Sequence, residues 1–199
     1  MLRAGDGPVS PWAVPNLVTM ARIALVPLFA WLLLADGGAH GGLRWAAAGL
    51  FLAAISTDSL DGRLARSRNL VTDLGKLLDP IADKALTGAA FLGLSMLGEL
   101  PWWVTGVVLA RELGITLWRL VQARRRVVLP AGRGGKLKTV AQAVALCAAL
   151  VPLWTVLGEP AHLLNTVLMS IAFALTVWSG ADYIWQAYRP GARKETESP

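Results

Sequence analysis

Long runs of apolar residues, separated by short polar stretches, follow one another along the whole chain. A helix that crosses the hydrocarbon layer of a bilayer needs about 20 mostly apolar residues. Only helices suit these runs, because the strands of a membrane barrel are shorter and alternate between apolar and polar positions. The predicted spans are Leu17–Ala35, Leu43–Asp61, Leu77–Leu97, Trp102–Val121, Leu137–Leu157 and Leu163–Tyr183.

The connections between these runs are short, and the chain contains no internal repeat and no domain-sized linker. The pattern predicts an all-α integral membrane protein whose six transmembrane helices form one bundle. We expect an N-terminal cytoplasmic or interfacial segment at residues 1–16, the membrane domain at 17–188, and a disordered polar tail at 189–199. The chain does not open on the basic head and apolar core of a signal peptide, so we expect its N-terminus to be retained.

Composition supports the membrane class. Of the 199 residues, 55% are hydrophobic and 16% are charged, whereas about 25% of residues are charged in a typical soluble domain. The net charge of +6 would also suit a nucleic-acid partner, but in a membrane protein positive charge more often reflects orientation and attraction to anionic lipid. We therefore expect membrane lipid and no nucleic acid as a partner. The single cysteine, Cys147, excludes a disulfide within the chain.

Basic residues are distributed unevenly between the two sides of the predicted bundle. An even number of spans puts both termini on one side, and the loops of the other side hold only Arg44. The side of the termini receives Arg3, Arg66, Arg68, Lys76, Arg124–Arg126, Arg133, Lys136, Lys138, Arg189, Arg193 and Lys194. Because positive residues favour the cytoplasmic side, we expect a multi-pass protein of the inner or plasma membrane, with both termini and a polar cavity facing the cytoplasm.

Four carboxylates stand where the second predicted span ends and the third begins. Asp58 and Asp61 are three positions apart and Asp79 and Asp83 are four apart, so each pair lies on one face of a helix. Four acids so close together need positive charge to stay ionised. Two divalent cations would supply it, with Mg²⁺ expected and Mn²⁺ as the alternative, and such ions leave positions open for substrate phosphates. The pattern indicates a metal site for a diphosphate-containing substrate.

Two other interpretations of these acids stay open from the residues alone. In the first, Asp58 and Asp61 form a structural salt-bridge network with Arg63 and Arg66, although two arginines would not balance four acids. In the second, the acids belong to a cation or proton transporter, since ionisable residues within a membrane usually mark function. A transport pathway would distribute acids through the membrane, whereas these acids collect at one depth.

Small residues accompany the acids and complete a longer pattern. Gly62, Ala65 and Gly75 leave room for helices or a ligand to approach, and Pro80 is expected where a helix begins. The chain matches every specified position of D-x-x-D-G-x-x-A-R-x8-G-x3-D-x3-D. In this pattern it resembles the CDP-alcohol phosphotransferase family of integral-membrane phospholipid enzymes. The resemblance implies a six-helix membrane domain, two divalent metals, a CDP-linked donor and release of CMP.

The family resemblance also implies a role for each matching position. Asp58, Asp61 and Asp79 would be metal ligands, and Asp83 would be the general base and a further ligand. The CDP-binding residues would be Asp58, Gly62, Ala65, Arg66, Gly75, Asn16 and Thr19. Physical logic agrees with this division, because bound cations polarise a diphosphate while the Asp83 carboxylate can accept the proton of the attacking hydroxyl.

Segments outside the acidic pattern narrow the resemblance to one branch of the family. Pro15–Arg22, Arg111–Arg119 and Gly135–Gln142 resemble the P-N-x-x-T-x-x-R, R-E and G-K-x-K-T-x-x-Q segments of phosphatidylglycerophosphate synthases. The resemblance implies homodimers that transfer a phosphatidyl group from CDP-diacylglycerol to sn-glycerol 3-phosphate, giving phosphatidylglycerophosphate and CMP. Other members use inositol phosphate or, as cardiolipin synthase, phosphatidylglycerol, and these acceptors stay open.

An anionic acceptor suits the basic residues on the cytoplasmic side. We expect Arg119, Lys136, Lys138 and Arg111 to bind the acceptor phosphate, because Arg and Lys are natural phosphate partners. The alternative for the two lysines is that they only enforce topology and hold anionic headgroups. Adjacent helical residues point about 100° apart, so we expect Arg111 and Glu112 to face the bundle interior without pairing with each other.

Three further titratable residues are expected to take no part in the chemistry. His40 and His162 are placed in loops on the side away from the acids. Asp182 is placed near the cytoplasmic end of the last span, where it pairs with a basic neighbour. The predicted site therefore rests on the four aspartates and the basic residues of the cytoplasmic side.

Overall fold

A computed structural model describes residues 14–67, 73–124 and 133–188 of the chain, and the side chains of 19–57, 81–82, 84–119, 121, 135–155 and 157–185. These residues form helices and turns, with no strand among them, which confirms the all-α class. The helices are α1 Val14–Ala35, α2 Gly42–Ser67, α3 Asp73–Met96, α4 Trp102–Arg124, α5 Arg133–Leu150, α6 Trp154–Leu157 and α7 Glu159–Tyr188. The predicted tail and most of the N-terminal segment lie outside the described residues.

Two helices extend the predicted spans around the acidic pattern. Helix α2 continues beyond the expected end at Asp61 to Ser67, and α3 begins at Asp73 rather than at Leu77. The expectation that Pro80 begins a helix was therefore wrong, because seven helical residues precede it. Proline favours the first turn of a helix, but membrane helices tolerate it further inside, where neighbouring groups take over the lost hydrogen bond.

The fifth predicted span is divided into two helices. Helix α5 ends at Leu150, two residues before Pro152, which has no N–H and would collide with the carbonyl one turn earlier. The short helix α6 follows and ends at Gly158, whose φ of 65° is a left-handed value that glycine adopts without strain. Helix α7 then begins at Glu159, so His162 lies in a helix and not in the expected loop.

The helices differ in how well their own composition suits a bilayer. Among the described residues, α7 alone is long and apolar enough to cross a membrane, over Glu159–Trp185, while Thr19–Ala35 and Gly42–Thr57 are shorter apolar helices. Only 22% of the apolar window of α7 is buried, so its surface suits lipid better than a protein core. The number of spans and their orientation stay predictions.

The contacts divide the chain into two units, residues 1–93 and 94–199. In the first unit α1 packs on α2. Phe29 of α1 and Phe51 of α2 are fully buried, and their rings lie 5.5 Å apart between centroids. Aromatic rings at this distance add to the free energy that burial of their surface already provides.

The connection between α1 and α2 is organised around one carboxylate. Asp36 is 7% exposed and accepts hydrogen bonds from the backbone N–H groups of His40, Gly41 and Arg44, at 2.8, 3.0 and 3.2 Å. The last of these groups belongs to the first turn of α2, so Asp36 acts as a cap for that helix. The expectation that Arg44 occupies a loop was wrong, because it lies in α2 and its side chain is fully buried.

Substitution of Asp36 by Ala is expected to lower the free energy of unfolding by about 2 kcal/mol, since several backbone donors lose their acceptor. The melting temperature of the detergent-purified protein measures this. Asp36→Asn keeps a side-chain oxygen and should melt closer to the parent protein. Equal melting of Asp36→Ala and the parent would contradict the capping role.

The second unit places α4 and α5 against α7, and α6 against the beginning of α7. Its buried side chains include Val108 of α4, Leu146 of α5 and Ala172 of α7. Where α3 gives way to α4, the buried hydroxyls of Ser95 and Thr105 lie 2.7 Å apart and form a hydrogen bond. This packing brings α4, α5 and α7 together around polar side chains of the R-E segment and of the G-K-x-K-T-x-x-Q segment.

Candidate active site

The four aspartates of the acidic pattern lie on two helices. Asp58 and Asp61 belong to α2, and Asp79 and Asp83 belong to α3. Continuous helix at both places confirms that each pair has neighbouring positions on one helix face. The side chains of all four lie outside the described residues. Their roles as metal ligands and as general base stay predictions.

The other predicted donor-binding residues also lie on helices. Asn16 and Thr19 belong to α1, and the side chain of Thr19 is buried, with 4% exposure. The remaining positions are on α2, at Gly62, Ala65 and Arg66, and on α3, at Gly75. Among the side chains that the structure describes, no three of His, Cys, Asp and Glu lie close enough to hold a metal ion. The four aspartates were not among those side chains, so the predicted metal site is untested.

A polar cluster in the second unit joins α4, α5 and α7. Its centre is the carboxylate of Glu112, whose Oε1 accepts a hydrogen bond from Arg111 Nη1 at 2.9 Å and also pairs with Lys138 Nζ. The side chains of Arg111, Glu112 and Lys138 are 14%, 16% and 6% exposed. Arg111 Nη2 donates a further hydrogen bond to Ser179 Oγ at 2.9 Å. Two cations thus share one carboxylate in a largely buried place.

Hydroxyl and amide groups extend this cluster along α5 and α7. Gln142 Nε2 donates to Thr176 Oγ1 at 2.8 Å, and the Thr176 hydroxyl donates to the carbonyl of Ala172 at 2.6 Å. The Ser179 hydroxyl donates to the carbonyl of Thr176 at 3.1 Å. Lys138 and Gln142 are four residues apart on α5 and both are buried, so they lie on the face that packs against α7.

The prediction that Arg111 and Glu112 do not pair was wrong. Their positions on the helix do diverge, but the guanidinium of Arg111 stands on a long flexible chain that reaches around to Glu112.

The two lysines of the G-K-x-K-T-x-x-Q segment were expected to share one role, but they differ in exposure. Lys136 is exposed while Lys138 is buried, because residues two apart on a helix point to nearly opposite sides.

Arg119 lies one turn from the end of the described part of α4 and is exposed. Its guanidinium carbon is 5.5 Å from the centre of the Tyr183 ring on α7, a distance at which the charge is attracted to the ring face. This contact holds the guanidinium beside α7.

The sequence did not lead us to expect Thr176 and Ser179 in the polar cluster that joins α4, α5 and α7. A signal was available, because these are polar residues three apart on one face of a mostly apolar helix. Gln142 belongs to the G-K-x-K-T-x-x-Q segment, but its partner on α7 was not predictable from spacing. The charges of the cluster add to one positive charge, from Arg111, Lys138 and Glu112, in a largely buried place. Such a place favours binding of an anion.

The sequence pattern of the family described as CDP-alcohol phosphatidyltransferase matches residues 12–178, which include the acidic pattern and the polar cluster except Ser179. The chain therefore belongs to the CDP-alcohol phosphatidyltransferase family. Family membership, together with the apolar helix α7, makes it a membrane protein.

Relatives with curated names give the comparison more detail. A Mycobacterium tuberculosis protein named "probable phosphatidylglycerophosphate synthase" is 46% identical over 184 residues, which cover 92% of this chain and 86% of that protein. A Bacillus subtilis protein named CDP-diacylglycerol–glycerol-3-phosphate 3-phosphatidyltransferase is 38% identical over 197 residues, covering 88% and 97% of the two chains. A Streptomyces coelicolor cardiolipin synthase (CMP-forming) is 46% identical over 100 residues, covering 50% of this chain and 46% of its own.

Proposed function

We propose that this protein transfers a phosphatidyl group from CDP-diacylglycerol to sn-glycerol 3-phosphate, and so forms phosphatidylglycerophosphate and CMP. The observation that carries this proposal is the similarity to the B. subtilis glycerol-3-phosphate 3-phosphatidyltransferase, which extends over nearly the whole of both chains. The complete acidic pattern of the CDP-alcohol family supports the donor half of the reaction.

The donor is an amphiphile, and the chain offers suitable residues for both of its parts. We propose that Asp58, Gly62, Ala65, Arg66 and Gly75, with Asn16 and Thr19 of α1, bind the cytidine diphosphate. Small residues on α2 and α3 allow a nucleotide to approach the helix backbone closely. The acyl chains would stay in the bilayer, which removes the need to take a whole lipid into water.

Four clustered carboxylates are the donor set that two hard divalent cations require, and we propose Mg²⁺ as the ion in the cell. Asp58, Asp61, Asp79 and Asp83 would hold the ions. When bound, the cations would polarise the diphosphate and offset the negative charge that develops on the departing CMP. The aspartates need this positive charge to remain ionised together, so the same residues bind the cofactor and depend on it.

We propose Asp83 as the general base. The primary hydroxyl oxygen of glycerol 3-phosphate attacks the phosphorus that carries the diacylglycerol, and its proton passes to the Asp83 carboxylate. A new phosphorus–oxygen bond forms to glycerol 3-phosphate while the bond to the CMP oxygen breaks. CMP leaves with the bonding electron pair, so the step balances without any oxidant or reductant.

The acceptor brings two negative charges and needs cations to bind it. We propose that Lys138 and Arg111 of the polar cluster, with Lys136 and Arg119, bind its phosphate. Glu112 holds Lys138 and Arg111 close together without cancelling their combined charge. We further propose six spans with both termini and the acidic residues on the cytoplasmic side, where glycerol 3-phosphate is dissolved, and a homodimeric state.

A second candidate function is cardiolipin synthesis from CDP-diacylglycerol and phosphatidylglycerol. It is favoured by the S. coelicolor cardiolipin synthase, which is as similar as the M. tuberculosis protein over half of this chain. Phosphatidylglycerol carries one negative charge on a lipid, so its binding depends less on the basic cluster. The choice of acceptor therefore separates the two candidates.

Release of CMP by the detergent-purified protein tests the proposal, with CDP-diacylglycerol and Mg²⁺ present and three acceptors supplied in parallel. We expect release that depends on glycerol 3-phosphate and exceeds release with phosphatidylglycerol or inositol phosphate. Preference for phosphatidylglycerol would replace the proposal by cardiolipin synthesis. No release with any acceptor would refute phosphatidyl transfer and favour transport of a cation.

Substitution of Lys138 by Met is expected to raise the KM for glycerol 3-phosphate about tenfold, the effect of losing one charge-assisted contact with a phosphate. The fold should tolerate the change, because Glu112 keeps its bond to Arg111 and is not left as an uncompensated buried charge. Steady-state kinetics on both substrates measure this. The KM for CDP-diacylglycerol should stay within about twofold, and Lys194→Met serves as the control for loss of one positive charge. An unchanged KM for glycerol 3-phosphate would remove Lys138 from the acceptor site.

A further inference from the structure

A groove of about 370 Å³ lies between α4 and α7, within the unit of residues 94–199. It is mostly apolar, with Ile115 and Ile184 on its walls. Glycines form part of its lining, Gly114 on α4 and Gly180 on α7, and their missing side chains leave much of the space. Both helices therefore carry small residues where the groove lies, and Ala110 of α4 lines it as well.

Two buried polar atoms at this groove have no hydrogen-bond partner among the described residues. They are Nε of Arg111 and the hydroxyl of Tyr183, and both residues line the groove. The other two nitrogens of Arg111 already bond Glu112 and Ser179, so Nε is the one guanidinium nitrogen without a partner among the described residues. A side chain at Gly180 would crowd this part of Arg111, since an added Cβ would lie 3.2 Å from Cγ and 3.6 Å from Nε.

Buried donors without an acceptor are costly in a protein interior, and most costly within a membrane, where water cannot serve them. A ligand that relieves both must bring oxygen acceptors. It must also be apolar enough to fill the groove. The exposed side chains beside it on α4 and α7, such as Leu113, Leu117 and Trp178, are apolar as well, so the occupant comes from the lipid around the protein.

We propose that the groove binds one glycerophospholipid of the surrounding bilayer, separate from the donor substrate. An acyl chain would fill the apolar length, and an ester or phosphate oxygen would accept hydrogen bonds from Arg111 Nε and the Tyr183 hydroxyl. A transmembrane helix of a second copy suits the groove less well, because its backbone carbonyls are already hydrogen bonded within the helix. The lipid would hold α4 against α7 beside the polar cluster.

Two matched glycine substitutions test the proposal. A Cβ at Gly114 meets no atom within 4 Å, so the side chain of Gly114→Leu has room to start at this position of the groove lining, and we expect it to take up space in the groove. Gly106 lies on the same helix, is exposed and also has no atom within 4 Å of an added Cβ, but it does not line the groove. Gly106→Leu therefore carries the same change in helix propensity and hydrophobicity without blocking the site.

The measurement is native mass spectrometry of the delipidated protein titrated with dioleoylphosphatidylglycerol. We expect Gly114→Leu to bind its first lipid at least about tenfold more weakly than Gly106→Leu. Tyr183→Phe keeps the ring beneath Arg119 and should weaken binding about fivefold through loss of one donor. The assay contains no CDP-diacylglycerol, so its outcome does not depend on the proposed transfer reaction.

Three results would overturn the proposal. The first is equal lipid binding by Gly114→Leu and Gly106→Leu. The second is a shift from dimer to monomer in Gly114→Leu with lipid binding unchanged, which would assign the groove to a second copy of the chain. The third is a raised KM for CDP-diacylglycerol in Gly114→Leu with binding of phosphatidylglycerol unchanged, which would assign the groove to the donor.

Discussion

Replacement of Asp83 by Asn is expected to reduce CMP release from CDP-diacylglycerol and glycerol 3-phosphate by a factor of about 10²–10⁴. The amide keeps the size of the side chain but cannot accept the proton of the attacking hydroxyl at neutral pH. It also removes one negative charge from the proposed metal site. Both effects act on the transition state, so kcat should fall far more than the KM for either substrate rises.

Asp182→Asn is the matched control, because Asp182 is an aspartate of α7 to which we assign no catalytic role. Its activity should stay within about twofold of the parent protein. Equal melting temperatures of the two variants and the parent would show that any loss of activity is chemical. Retention of most activity in Asp83→Asn would exclude this residue as the base.

Removal of divalent cations is expected to abolish CMP release, and Mg²⁺ is expected to restore it. Without cations the carboxylates of Asp58, Asp61, Asp79 and Asp83 repel one another, and nothing offsets the charge of the diphosphate. The protein is passed through chelating resin, and activity is measured as Mg²⁺ is added back. Mn²⁺ should also support activity, since it takes the same oxygen ligands.

A second readout makes this test independent of turnover. Mg²⁺ should raise the melting temperature of the parent protein, because a cation that binds only the folded state stabilises it. The rise should be smaller in Asp61→Asn and unchanged in Asp182→Asn. Full activity after chelation would refute the metal site and would favour the structural salt-bridge interpretation of the acids.

The sequence predicted the class of fold and the positions of most helices, because apolar run length is a strong signal of a membrane helix. It failed where one residue decides a local break. The run Leu137–Leu157 is mostly apolar, yet Pro152 divides it into α5 and α6. Around the acids a helix is longer than predicted: α2 continues beyond Asp61 to Ser67, although its last turns are polar.

The candidate site was predictable in part. The pattern of acids and small residues predicted the CDP-alcohol phosphatidyltransferase family, and the family comparison confirms this. The metal site for a diphosphate that the same pattern indicated stays a prediction. Spacing could not reveal contacts between helices, such as the bond of Arg111 to Ser179, 68 positions further along the chain. It also missed the pairing of Arg111 with Glu112, because helix geometry fixes Cβ directions and leaves long side chains free to bend.

Transfer of the phosphatidyl group to glycerol 3-phosphate is tested most directly by following the acceptor itself. The purified protein would be incubated with CDP-diacylglycerol, Mg²⁺ and isotopically labelled sn-glycerol 3-phosphate, and the organic extract analysed by mass spectrometry. We predict label in a lipid with the mass of phosphatidylglycerophosphate, formed in equal amount with CMP and reduced about 10²–10⁴-fold in Asp83→Asn. Label that stays in the aqueous phase while CMP is released would contradict the proposed function.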